Sequence, residues 1–355
     1  LLLCAPALAA NVVKEGAVPN DGLDDRGAFD AAVELSQIDG TQTVDVPCGT
    51  YNLTRTPGAG SYALGAVNLF FVDGLTIRGQ GLCTVIENIF ETSPSVGNFF
   101  TFNIQDSSRI HFENLTLDGA ATSVAGANEQ THLVRTLNVH GLSFDKVVFQ
   151  NGWGDALKMT SQDGYTSDVT IERSRVRDMA RNGLTFHNGI TDVLVRDVTF
   201  EGISDQAIDF EAGSLGPQRV VIDAIRVYDE GKDDLTVALS GGNVTPLDAT
   251  RYVRLTNSYI EGEINLVRAG PTQIHGNSIV SVRTCISATR AMHSLSIVGN
   301  TLDCNLNNRG SGIAGGSGIF LGQVGAAVDG PQHTLIASNH IYIGGDGEIK
   351  AVNPF

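Results

Sequence analysis

The sequence predicts an all-β, single-domain parallel β-helix, a solenoid of about ten coils with a short capping α-helix near its N-terminus. Three observations carry this reading. A unit made of an apolar residue, four others and a second apolar residue recurs at Ile77/Leu82, Phe112/Leu117, Phe144/Phe149, Ile171/Val176, Val195/Phe200, Ile222/Val227, Leu255/Ile260, Ile274/Ile279, Ile297/Leu302 and Ile336/Ile341. Successive first members lie 35, 32, 27, 24, 27, 33, 19, 23 and 39 residues apart. An irregular period of this size with strands inside it belongs to stacked coils whose loops differ in length. Finally, 42% hydrophobic but only 6% aromatic residues, with 41 Gly, fit many short strands and tight turns around an aliphatic core.

The opening LLLCAPALAA reads as the tail of a secretory signal, with Ala7-Leu8-Ala9 as the cleavage site. Residues 1–10 are accordingly assigned to the signal and 11–355 to the β-helix, of which 11–86 form the cap and first coils and 87–355 the remaining coils. No other run reaches the ~18 apolar residues of a membrane span. Phe29, Ala32, Val33 and Leu35 recur at helical spacing behind Asp24-Asp25, which predicts a short amphipathic helix over one open end of the solenoid. TVDVPCGTYNLT and LTIRGQGLCTVI then alternate at period two, as strands do.

Asn277, Asn300 and Asn339 each precede the second apolar position of their unit by two residues. That is the bend between two strands, where an Asn side chain bonds backbone and tolerates left-handed φ/ψ. A stacked Asn ladder is structural. The Asn-Gly pairs at Asn151 and Asn182 precede strands whose best matches lie one coil away, which favours parallel coiling over hairpins. The Gly-rich segment from Asn307 to Gly318 reads as a loop insertion before a strand at Ile319 to Leu321. No capping helix precedes Phe355, so further chain or a partner is expected to cover the last coil. Apart from Cys4, four cysteines remain and allow three pairings. Stacking of neighbouring coils favours Cys48 with Cys83 and Cys285 with Cys304, and export permits both.

The segment from Asn11 to about Ile86, with D-G-x-D-D-x-x-A-F followed by V-P-x-G-T-Y, resembles the start of the pectate-lyase-like superfamily of right-handed parallel β-helices. The later coils resemble the general repeat of that superfamily. The resemblance implies a carbohydrate-active protein, but the superfamily holds lyases, glycoside hydrolases, epimerases and phage tailspikes. Its catalytic signatures are missing. Asp233-Asp234 is not followed by the Gly-His-Gly of polygalacturonases, and neither the Asp-Pro-His of alginate epimerases nor the Arg-x-Pro-x-x-Arg of pectate lyases occurs.

A formal net charge of −16, scattered along the chain, makes nucleic acid and anionic membranes poor partners. A polysaccharide is the expected partner; an acidic one would need a cation or a local basic patch. Charged residues of mixed sign gather between Trp153 and Ser240, in GWGDALKMTS, ARNGLTFHNG, SDQAIDFEAG and KDDLTVALSG. Aligned on inward Leu157/Met159, Leu184/Phe186, Ile208/Phe210 and Val237/Leu239, these rungs place three columns on one face. The columns read Lys158, Thr185, Asp209, Ala238; then Thr160, His187, Glu211, Ser240; and upstream Gly154, Arg181, Asp205, Asp234. His187 is then expected beside Glu211, and Arg181 beside Asp205.

Three chemistries suit such a patch. In β-elimination on a uronate, a base chosen from His187, Lys158 and Arg181 removes the proton α to the carboxylate while Asp205, Asp209 and Glu211 hold Ca²⁺. In inverting hydrolysis, two carboxyl groups about 6.5–9.5 Å apart flank a water, as Asp209 with Glu211 or Asp205 would. A non-catalytic glycan-binding or adhesin-like face is the third, and a solvated ladder of alternating charge is the plain structural reading of each residue alone. Asp205, Asp209, Glu211, His187, Arg181 and Lys158 are the candidate catalytic residues, with Trp153, Asp155, Asn182 and Asp234 as candidate substrate contacts. Trp153, between two glycines, offers a ring to stack on sugar, and Asp163 and Tyr165 are placed at a wall of the same cleft.

Overall fold

A computed structural model describes residues 9–54, 65–89, 99–121, 130–162, 164–211, 213–228, 235–240, 250–282, 284–289, 293–304, 318–322 and 333–342. Residues 1–8, Asp163, Asp233-Asp234, most of the Gly-rich insertion and the end of the chain lie outside them. Ala10 already belongs to a strand and stands opposite Val44.

Most coils carry three strands, the second and third being continuous in Ser108–Asp118 and His140–Gly152, and each strand pairs in parallel with its counterpart one coil on. In one coil these are Leu157–Thr160, Thr166–Glu172 and Arg175–Met179; in the next, Leu184–His187, Ile190–Arg196 and Thr199–Ile203. The first strands stack into a ten-stranded sheet running from Val67–Phe70 to Ile319–Gly322. The others build a 21-stranded sheet around the rest of the solenoid. The apolar repeat sets the register. Phe112, Phe144, Ile171, Val195, Ile222, Leu255, Ile274, Ile297 and Ile336 are successive partners.

Alternation turns one side chain in two inward, so the interior is a set of apolar stacks. Phe112 and Phe144 stack at 5.0 Å, and Phe186 meets Phe210 edge-on at 4.9 Å. Each such fully buried side chain contributes about 1.5–3 kcal/mol. Two expected pairs depart from the pattern. Leu82 is 77% exposed, because the Gly81-Leu82-Cys83 turn, not a strand, occupies that position. Ile336 and Ile341 hold their register but are 40% and 44% exposed on the last described coil.

The helix Arg26–Ile38 buries Phe29, Ala32 and Val33, with Phe29 edge-on to Tyr51 at 5.9 Å. Ser36 rather than Leu35 completes the buried face, its hydroxyl donating to the Val33 carbonyl at 2.8 Å. The Asn ladder forms: Asn277 Nδ2 donates to Asn300 Oδ1 and Asn300 Nδ2 to Asn339 Oδ1, at 3.0 and 2.9 Å. The left-handed backbone falls one residue earlier than expected, on Gly276, Gly299 and Ser338. Cys48–Cys83 and Cys285–Cys304 are both disulfides, joining neighbouring coils at Cα separations of 4.8 and 5.8 Å. Among the described residues no helix is long and apolar enough to cross a membrane.

Candidate active site

The ten-stranded sheet positions the charged cluster. Lys158 stands opposite Thr185, Thr185 opposite Asp209 and Asp209 opposite Ala238; Thr160, His187 and Glu211 form the next column. The inward set from Leu157 to Leu239 is buried throughout, which fixes the alternate residues on the outer face. The rung Asn265/Val267, one coil past Ala238, is uncharged on that face.

Glu211 is the hub. Its Oε1 accepts from Arg181 Nη2, its Oε2 accepts from Lys158 Nζ at 3.2 Å, and His187 Nδ1 lies 3.4 Å from the same Oε2. Burial alone would raise this carboxyl, but His187, Lys158 and Arg181 outweigh it and hold Glu211 well below the usual carboxylate range. Asp209, two residues before it, has the opposite fate. Burial and the neighbouring Glu211 charge push it up to about 7, against the pull of Arg181. Two carboxyl groups on one strand are thus driven apart, one a fixed anion and one that exchanges a proton near neutrality.

Beneath this layer lies a second. Arg181 Nη1 donates to both oxygens of Asp155 at 2.9 Å, and Asp155 is fully buried. Burial pushes Asp155 up to about 6 against Arg181 and Lys158, while the two carboxylates outweigh desolvation and raise Arg181. The Asp155 amide donates to His132 Nδ1 at 3.1 Å, so neutral His132 carries its proton on Nε2. Burial, with the nearby Lys158 and Arg181 charges, keeps His132 neutral, and its 3.5 Å approach to Asp155 is therefore not an ion pair. Buried Asn182 donates through Nδ2 to Asp209 at 3.2 Å and to Thr185 at 3.2 Å.

Several expectations change. Arg181 pairs with Asp155 and Glu211, not with Asp205; Asp205 is exposed and accepts from its neighbour Gln206. The reason is position: Arg181 lies between the Asp155 and Glu211 rungs and reaches both. Asp155 and Asn182, expected as substrate contacts, have no exposed surface and act from below. Trp153 is half-buried at the bend after Gly152, Tyr165 accepts from Gln218 at 3.3 Å, and Asp234 lies outside the described residues.

The residues do not fit the expected Ca²⁺ site. Glu211 is engaged by three nitrogen-bearing side chains and Asp209 by the Asn182 amide, and among the described residues no group of three or more His, Cys, Asp or Glu is poised to hold a metal. Hard oxygen ligands free to converge are what Ca²⁺ requires.

One cation escaped the sequence reading. Arg135 stands opposite Lys158 one rung upstream, half-buried, with Nη1 donating to Asn103 Oδ1 at 3.2 Å and its guanidinium 5.4 Å from the centre of the Phe100 ring. The available signal is Arg135 standing between Val134 and Thr136, whose side chains turn inward.

No family model matches the chain. Among curated proteins it is similar to the mannuronan C5-epimerases AlgE1 and AlgE4 of Azotobacter vinelandii, 27% identical over 186 residues and 28% over 191. These stretches are 51% and 53% of this chain but only 11% and 29% of those proteins. Among solved structures, ORF18 of Geobacillus virus E2 has a TM-score of 0.62 at 13% identity, covering 93% of this chain and 59% of that one. The A-module of AlgE4 gives 0.57 at 17% identity over 97% of this chain and all of that module. The catalytic domain of a GH87 α-1,3-glucanase gives 0.53 at 13%, covering 96% and 67%. These likenesses show the fold, a right-handed parallel β-helix.

Proposed function

We propose that the chain is an exported enzyme that acts on a uronate-containing polysaccharide by removing the proton α to the sugar carboxylate. The observation that carries this reading is the joining of cations and a proton-exchanging carboxyl on three adjacent rungs. Lys158 and Arg181, with side chains 14% and 13% exposed, are held at the face by Glu211. Arg135 extends the row by one rung. This row is the local basic patch that an acidic polymer needs on a chain of net charge −16.

In this reading the substrate carboxylate sits against Lys158, Arg181 and Arg135, which stabilise the charge that develops when the α proton leaves. His187, 42% exposed and backed by Glu211, is the base. Asp209, pushed up to about 7, keeps a proton up to about neutrality and delivers it to the leaving glycosidic oxygen, completing elimination with a C4–C5 double bond. If the proton returns instead to the opposite face of the same carbon, the product is the C5 epimer. The likeness to mannuronan C5-epimerases supports the shared first step. The two disulfides support export, since such bonds persist in oxidising compartments.

Inverting hydrolysis is the second reading, favoured by the opposed proton affinities of Asp209 and Glu211. Against it stands the engagement of both Glu211 oxygens, which leaves that carboxylate little capacity to activate water. Product analysis separates the two. Polymannuronate or polygalacturonate incubated with the protein should yield unsaturated ends that absorb in the ultraviolet, and His187→Ala should abolish them. Saturated reducing ends without that absorbance would establish hydrolysis and sink the elimination reading. Neither product, with retained binding, would leave a glycan-binding face.

A further inference from the structure

A second groove lies on the other sheet, running from the coil that carries Asp209 and Glu211 to the fourth coil beyond it. It encloses about 560 Å³ and is lined by Arg219, Tyr252, Arg254, Pro271, Gln273 and His333, among others. In a chain with 39 acidic and 23 basic residues, no Asp or Glu among the described residues lines it. The wall is built by the solenoid. The residues at one bulge of successive coils, Asp192, Arg219, Tyr252, Pro271, Ser294 and His333, stack in line, as the register of their flanking strand residues requires. Left-handed backbone at Arg219, Tyr252, Ser294 and His333 turns these side chains outward. From Tyr252 to His333 is three rungs, about 14 Å.

The groove's chemistry is specific. Tyr252 is 60% exposed, and among the described residues its hydroxyl has no partner. An exposed aromatic ring beside Pro271 is a flat apolar platform suited to the face of a sugar ring. Arg254 uses only Nε within the protein, donating to Gln273 Oε1 at 3.2 Å, so among the described residues its two terminal nitrogens remain for a ligand. Arg219, by contrast, is held by Asp192 through two bonds of 2.6 Å and serves as a rigid edge. A planar guanidinium free at its fork matches a carboxylate bidentately.

We propose that this groove is a secondary binding site for an anionic glycan, with a sugar ring on Tyr252 and its carboxylate on Arg254. It would anchor an acidic polymer at a distance from the charged cluster and does not depend on what that cluster does.

The test is calorimetric titration of the chain carrying Lys158→Ala and His187→Ala, which weakens binding at the cluster, with hexamers of mannuronic and galacturonic acid, a neutral glucan hexamer and polyphosphate. Uronate binding that falls at least tenfold on adding either Tyr252→Ala or Arg254→Gln, and that weakens with salt, would support the site. Both substitutions are at exposed positions, and circular dichroism should match the parent. Unchanged affinity in both variants would overturn it, as would equal binding of the neutral hexamer or of polyphosphate. Absence of turnover by the wild type would refute the proposed reaction while leaving this binding result intact.

Discussion

Arg181 grips both oxygens of Asp155 at 2.9 Å, and Asp155 has no exposed surface. A fully buried carboxylate thus fixes a cation that reaches the outer face and touches Glu211. Asp155→Ala should leave that guanidinium without its anchor, at a cost of about 3–5 kcal/mol in stability. Urea unfolding measures the loss; a change below about 1 kcal/mol would show the pair to be dispensable.

Asp209 links the site to pH. Its carboxyl is raised from 3.8 to about 7, so its protonated form is favoured by folding. Stability from this group is full below the unfolded pKa and is lost as pH rises through about 7. Asp209→Asn removes that loss. The variant should therefore gain on the wild type between pH 4 and pH 8, by up to about 4 kcal/mol. Melting curves across that range test it, and parallel curves would contradict the shift. Activity should decline above about pH 7 as the proton donor ionises.

Gly183 opens the rung that carries His187, and a Cβ there would meet the Ala207 carbonyl oxygen at 2.4 Å and the Phe200 ring at 2.9 Å. Neither can withdraw, because both belong to packed rungs. Gly183→Ala should cost about 1–3 kcal/mol by overpacking and shift Asn182 and His187. Thermal unfolding and turnover should fall together; an unaltered melting temperature would disprove the close approach.

The disulfide Cys285–Cys304 closes a separation of 19 residues between buried sulfurs. Replacing both with Ser should lower stability by about 3 kcal/mol. The loss should appear first as hydrogen exchange in strands 286–289 and 301–304, with the rungs around Lys158 less affected. Uniform loss of protection would show instead that the solenoid unfolds as one unit.

The fold was legible because a solenoid repeats its instruction. One apolar position per strand, read ten times, determined register, and register put Lys158, Thr185 and Asp209 in one column and His187 beside Glu211. Depth was not legible. Asp155 and Asn182 are polar, so they were expected at the surface, yet each satisfies its polar atoms below it, against Arg181 and against Thr185 and Asp209. Partner choice was not legible either. The length of Arg181 lets it skip its in-column neighbour Asp205 and bridge carboxylates on two other rungs.

The most direct test of the proposed chemistry is incubation of a uronate polymer with the protein in D₂O, followed by NMR of the sugar C5–H and by ultraviolet absorbance. Abstraction of the α proton predicts unsaturated ends, or deuterium at C5 if the carbanion is reprotonated, and His187→Ala should remove either signal. Chain cleavage to saturated ends, with neither absorbance nor deuterium at C5, would contradict it.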